Sequence, residues 1–190
     1  MDTVNFILLA VLIVVGLYFI FIYNNLVSLK HNVSKAWANI DVLLKQRHDE
    51  LPKLVATCKQ YMQYEKEALE AIVTARSAVH AAKNNIDMKA LGAAESKLRI
   101  GLGDLFALSE NYPDLKANES FQHLHARISG LEHDIADRRE FYNDSVNANN
   151  IRIEQFPDVL VARIMSFAAF DLLEFSVTER SDVDMKALFT

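Results

Sequence analysis

No charged side chain occurs between Thr3 and Leu29, and from Phe6 to Tyr23 the chain is an almost unbroken run of Ile, Leu, Val and Phe. At a helical rise of about 1.5 Å per residue, roughly 20 such residues match the ~30 Å hydrocarbon core of a bilayer. The sequence therefore predicts a transmembrane anchor over residues 1–25, with Phe6, Leu9, Leu12, Val15, Phe19 and Tyr23 among its membrane-spanning side chains. A cleaved secretory signal fits less well, because it expects a basic leader, a shorter apolar stretch and a small-residue cleavage site. Met1-Asp2-Thr3 has no Lys or Arg, and Tyr23-Asn24-Asn25 is no such site. Lys30, Lys35, Lys45 and Arg47 follow the span, whereas only Asp2 and the amino terminus precede it. Cytoplasmic flanks carry the excess of Lys and Arg, so the N-terminus is expected outside and the rest of the chain in the cytoplasm.

The remaining ~160 residues suffice for one domain with a real core. With five Gly and three Pro in the whole chain, the turns that sheets require are scarce, so an all-α domain is expected. The formal net charge of -5 and the absence of a basic run beyond the juxtamembrane segment leave no electrostatic footprint for nucleic acid. The single cysteine, Cys58, rules out an internal disulfide and reads as a small apolar side chain on a buried stripe.

Past the membrane, apolar or small residues recur at Leu26, Leu29, Val33, Trp37, Ile40 and Leu44, then Leu51, Leu54, Cys58, Tyr61, Leu69, Ile72 and Val79. Steps of three and four mark one helix face. The phase holds across Pro52, which predicts one long helix from Leu26 to Val79, bent where Pro52 cannot donate to the carbonyl of His48. A fresh start with Asp49 as N-cap is the alternative. Neither Gly nor Pro lies between Gly16 and Pro52, so the anchor should run straight into this helix as a stalk of roughly 35 residues, about 50 Å of rigid rod. Asp87 is a good N-cap for a second helix, in which Gly101-Leu102-Gly103 reads as close approach or a kink. Tyr112-Pro113 stops it. A third helix runs from about Asn118 or Ser120 to Gln155, and Asp158 can cap a short fourth. The expected fold is all-α, an N-terminal transmembrane helix continuing into a long-helix antiparallel bundle of three to four helices. Its expected parts are residues 1–25 (anchor), 26–166 (bundle) and 167–190 (tail). Phe167, Phe170, Leu172, Leu173 and Phe175 make that tail unusually apolar and a candidate for assembly between copies.

Few constellations carry chemistry. His123 and His125 are two apart and point to different helix faces, and no Glu-x-x-His pair suggests a di-metal bundle. Neither a nucleophile elbow nor an H-E-x-x-H motif occurs. No catalytic residue, metal or cofactor is predicted. The densest polar stretch, Lys45 to Asp49, sits at the expected bend and makes Arg47, His48, Asp49 and Pro52 a candidate interaction site. Arg47 on an apolar stripe reads as a stem with its head in water, with an interhelical ion pair to an acid such as Asp137 or Glu140 as the lesser alternative.

Three ordered blocks resemble the LemA family: Ala36-Trp37-Ala38-Asn39-Ile40-Asp41-Val42 with Gln46 to Val55; Ser109 to Ala117 with Phe121 to Leu124; and Phe141-Tyr142-Asn143, Val146-Asn147 and Phe156-Pro157. With Tyr23-Asn24 after the span, the resemblance covers the chain to about Ala162. Glu50 and Lys53 depart from the apolar residue and Asn usual in the family, and the tail lacks a Gly-containing, Phe-rich stretch. The resemblance implies a bacterial inner-membrane, single-pass protein with an antiparallel helical bundle, and no catalytic mechanism. Asn111, Tyr112, Pro113 and Asp114 read as a tight interhelical turn, with Pro113 presetting the backbone and Asp114 able to cap. Trp37 and Tyr142 offer large buried area with a polar tip. The expected function is a non-enzymatic scaffold whose partners are the lipid bilayer and further copies of the chain. The alternative is an adaptor for a membrane protease or envelope-stress component.

Overall fold

The computed structural model describes residues 3–174. All regular structure among them is helical: α1 (Thr3–Tyr61), α2 (Lys66–Asn84), α3 (Met88–Ser109), α4 (Pro113–Lys116), α5 (Glu119–Glu154) and α6 (Asp158–Ile164). The described residues divide into two compact units, one of 3–39 with 140–171 and the other of 40–139 with 172–174, so α1 and α5 contribute to both.

In the first unit the N-terminal part of α1 is long and apolar enough to cross a membrane. Ile22, Leu26, Val161 and Ala162 form a core, joined by Phe19, Ile153 and Phe167. The rings of Trp37 and buried Tyr142 lie 5.9 Å apart, in the range where aromatic pairs attract. Trp37 is itself only half-buried. α6 ends in a left-handed turn: Ser166 takes φ 55°, and the Phe167 N–H donates to the Ala162 carbonyl at 2.9 Å.

In the second unit α1, α2, α3 and the first part of α5 bury a common interior of Leu51, Leu54, Cys58, Ile72, Leu98, Leu105 and Ile128. α1 and α2 are antiparallel: Asp41 meets Lys83 at 2.7 Å, and seven residues further along α1, His48 meets Arg76, seven residues back along α2. Asp87 caps α3 as expected, accepting from the Ala90 N–H at 2.9 Å. Asn118 does the same for α5, accepting from the Phe121 N–H at 3.0 Å.

Several expectations need correction. The helix predicted from Leu26 to Val79 ends at Tyr61, and the chain reverses through residues 62–65 before α2. The turn keeps the apolar phase, because buried Met62 stands in it and Leu69 and Ile72 resume the stripe, so periodicity alone could not reveal it. Pro52 lies inside α1 and Asp49 starts no helix. Asp114 sits in the first turn of α4 and does not cap it; the cap position belongs to Tyr112. Asp158 is likewise the first residue of α6, buried and ion-paired with Arg152. Gly103 approaches nothing and Gly101 makes only an ordinary contact with Ile72, whereas Gly92 is the true close approach: a Cβ there would stand 1.8 Å from the Glu174 carbonyl oxygen.

Candidate functional site

Pro52 brings no N–H to the α1 ladder, so the carbonyl four residues back, at His48, loses its helical donor. Arg76 of α2 replaces it. Its Nε donates to the His48 carbonyl at 3.0 Å, and its Nη2 lies 2.6 Å from His48 Nε2. Because a guanidinium only donates, Nε2 must carry the lone pair and the His48 ring is neutral with its proton on Nδ1. His80 stands against this ring with centroids 4.9 Å apart. Burial, then the charge of Arg76 and of His80, hold the His48 pKa below its ordinary value. Asp49 is exposed and Pro52 faces outward. The bend predicted from sequence is thus a polar clasp between α1 and α2.

One residue earlier, Arg47 points the other way. Its side chain is 1% exposed and holds two carboxylates, Glu95 of α3 at 2.5 Å and Glu132 of α5 at 2.6 Å. The snorkelling reading is therefore corrected: the guanidinium is interior, and the alternative of an interhelical ion pair holds, with Glu95 and Glu132 as the acids in place of Asp137 or Glu140. Burial alone works against the charge, but Glu95 and then Glu132 overcome it and raise the Arg47 pKa. Burial dominates for Glu95, lifting its carboxyl above the usual range against the attraction of Arg47. Such a buried set adds little net stability, while loss of one member strands a charge. Here it joins α1 to α3 and to α5. Sequence reasoning missed both acids; the available signal was their helical spacing from apolar neighbours, Glu95 from Leu91 and Leu98 and Glu132 from Ile128 and Ile135.

The turn block closes the end of the second unit. Tyr112 donates its hydroxyl to Glu65 at 3.1 Å, and burial followed by this bond raises its pKa. Asn118 donates to the Tyr61 hydroxyl at 3.1 Å. The α3–α5 connection is thereby pinned to the α1–α2 turn. Pro113 opens α4, and Asn111 and Asp114 are exposed.

The apolar tail is occupied by its own chain as far as it is described; Phe175 lies outside the described residues. In the first unit Phe167 packs on the Ile22–Leu26 core and touches Tyr23 edge-on at 6.0 Å. Asn150 accepts from the Phe170 N–H at 3.0 Å and donates to the Phe170 carbonyl at 2.9 Å, while Tyr142 donates to the Asp171 carbonyl at 3.0 Å. In the second unit Leu173 is buried, Leu172 half-buried, and the Glu174 carbonyl rests against Gly92. Asn150 went unnoticed in the sequence, where an Asn pair late in a helix was the available signal. Of the span residues, Phe6, Leu9, Leu12 and Val15 are exposed, Phe19 half-buried and Tyr23 38% exposed. Cys58 is buried, and burial pushes its thiol up to about 11, so it is an unreactive core group.

Among known proteins, the family model described as LemA family matches residues 36–186, starting at the first of the shared blocks. The chain is similar to Protein LemA of Metamycoplasma hominis, 29% identical over 187 residues, which is 96% of this chain and 84% of that protein. A shorter likeness reaches Magnetosome protein MamQ 2 of Paramagnetospirillum magneticum, 34% identical over 79 residues, 42% of this chain and 29% of that protein. Magnetosome protein MamQ of Magnetospirillum gryphiswaldense is 32% identical over 79 residues with the same coverage, so the match spans less than a third of either MamQ protein. With most of the chain under the family model and a LemA relative aligned along nearly its whole length, the chain belongs to the LemA family.

Proposed function

We propose that the protein is a non-enzymatic, membrane-anchored helical scaffold that self-associates on the bacterial inner membrane and organises membrane or partner proteins, with its N-terminus outside and its bundle in the cytoplasm. One observation carries this reading. Every large apolar side chain from Val4 to Phe21 except half-buried Phe19 is left uncovered by the chain itself, and burial begins abruptly at Ile22. Such a surface calls for lipid, for other copies, or for both. Helices in lipid associate by close packing and interhelical hydrogen bonds, without a hydrophobic force between them, so the span can serve as both anchor and contact. Single cysteines placed in turn from Leu8 to Leu17 and oxidised in native membranes test the contact. Disulfide-linked dimers recurring every three to four positions support self-association through this helix; no linkage at any position counts against it.

A second reading, an adaptor for a membrane protease or envelope-stress component, is favoured by the half-exposed polar clasp of His48, Arg76 and His80 beside exposed Asp49. A photocrosslinker at Asp49 that captures only copies of this chain argues against the adaptor.

A further inference from the structure

We infer that α6 is a second membrane contact, a short interfacial helix that seats the first unit in the headgroup region of the same bilayer that α1 crosses. The inference rests on reading residues 6–23 as the span.

The helix has two unlike faces. Asp158, Val161 and Ala162 are buried, the last two against Ile22 and Leu26 of α1. On the other side Leu160 and Ile164, four residues apart and so on one face, are 54% and 70% exposed. Phe156 just before the helix is 82% exposed and Met165 just after it 44%. Four large apolar groups open to solvent beside a seven-residue helix form a patch with no purpose in water.

What covers the patch follows from its place on α1. The core that docks α6 contains Phe19 and Ile22, which belong to the last turns of the apolar run, where hydrocarbon gives way to headgroups. The exposed apolar surface of the span therefore continues onto α6. The polar groups nearby suit that depth. Arg163 lies exposed on α6 beside Leu160 and Ile164 and can meet lipid phosphate. The acid on the helix, Asp158, is held by Arg152 and turned away from the patch. A cavity of about 310 Å³ lined by Tyr23, Lys30, His31, Met165, Ser166 and Phe167 adds a basic, aromatic-edged recess at the same level, the composition found at bilayer boundaries. Interfacial helices of this kind sink their apolar face about 5–10 Å into the headgroup and acyl boundary.

Single cysteines replacing Leu160, Ile164, Val14 and Ala71 in the full-length chain, spin-labelled in phosphatidylethanolamine–phosphatidylglycerol vesicles, test this by collision with oxygen and with an aqueous nickel complex. Cys58 is buried and can stay, and because Leu160 and Ile164 are exposed, their replacement disturbs no packing. Labels at Leu160→Cys and Ile164→Cys that lose nickel accessibility and keep oxygen accessibility, as at Val14→Cys, with Ala71→Cys open to nickel, support the interfacial helix. Labels on α6 as open to nickel as Ala71→Cys, with Val14→Cys still in hydrocarbon, overturn it and leave the anchor standing. Labels on α6 shielded from both reagents mean a protein covers the patch, and also overturn it. Nickel access at Val14→Cys removes the anchor and the inference together.

Discussion

Adjacent residues of α1, Arg47 and His48, face two different electrostatic problems. Arg47 lies inside the second unit, so replacing it with Met leaves Glu95 buried without its partner, at an expected cost of about 3–5 kcal/mol. The double variant Arg47→Met, Glu95→Met removes the two fully buried charges, leaves Glu132 at 20% exposure to reach water, and should recover most of that loss in denaturant unfolding followed by circular dichroism. A double variant as unstable as the single one contradicts the pairing. At His48 the question is a backbone carbonyl orphaned by Pro52. Arg76→Met should cost about 1–3 kcal/mol, because that carbonyl and the ring nitrogen lose their shared donor. In a Pro52→Ala background the restored N–H can serve the carbonyl, so the same Arg76 substitution should cost less; equal costs in both backgrounds refute the replacement. His48 also predicts a pH dependence. Its folded pKa is held below the ordinary 6.5, so the unfolded chain takes up the proton first and stability falls as pH drops below 6.5 until the folded value is reached. His48→Gln should lose less stability than the parent over that window in paired thermal melts. Parallel pH profiles would show that the ring is not held neutral.

At the scale of elements, the tail provides the sharpest test. Gly to Ala inside a helix ordinarily gains up to about 1 kcal/mol in helix propensity. At Gly92 the added methyl meets the Glu174 backbone, so Gly92→Ala should speed hydrogen exchange at Leu173 and Glu174, while Gly101→Ala, facing only Ile72 at 3.6 Å, should leave it unchanged. Unchanged exchange in Gly92→Ala contradicts the contact. Much of the architecture at this scale was legible: the stripe of α1, the Asp87 cap and the stop before Pro113 all follow from local chemistry. The reversal at residues 62–65 was not, since it contains neither Gly nor Pro, keeps the apolar phase through Met62, and is held from afar by Tyr112 on Glu65. The reversal after α2, by contrast, was announced by the Asp87 cap, although Ile86 takes φ 55° there, where Gly is the usual choice. The seating of the tail was hidden too, because Asn150, Tyr142 and Gly92 hold its backbone, and backbone recognition leaves no side-chain pattern in the segment recognised. In the candidate site, the sequence marked Arg47, His48 and Pro52 as unusual. Their partners Arg76, Glu95 and Glu132 come from other helices, and pairing across helices requires the fold.

For the whole molecule, no three His, Cys, Asp or Glu side chains among the described residues group where they could hold a metal ion. Their charged interior is engaged in holding helices together. Among the described residues, large apolar side chains stand uncovered along the first part of α1 and on the outer face of α6. The proposed scaffold role rests on this uncovered apolar surface. The most direct measurement is the mass of the full-length protein in a mild detergent or in nanodiscs, by multi-angle light scattering corrected for bound lipid. The scaffold account predicts a defined multiple of 21.5 kDa that persists on dilution, and a strict monomer at every concentration would contradict it.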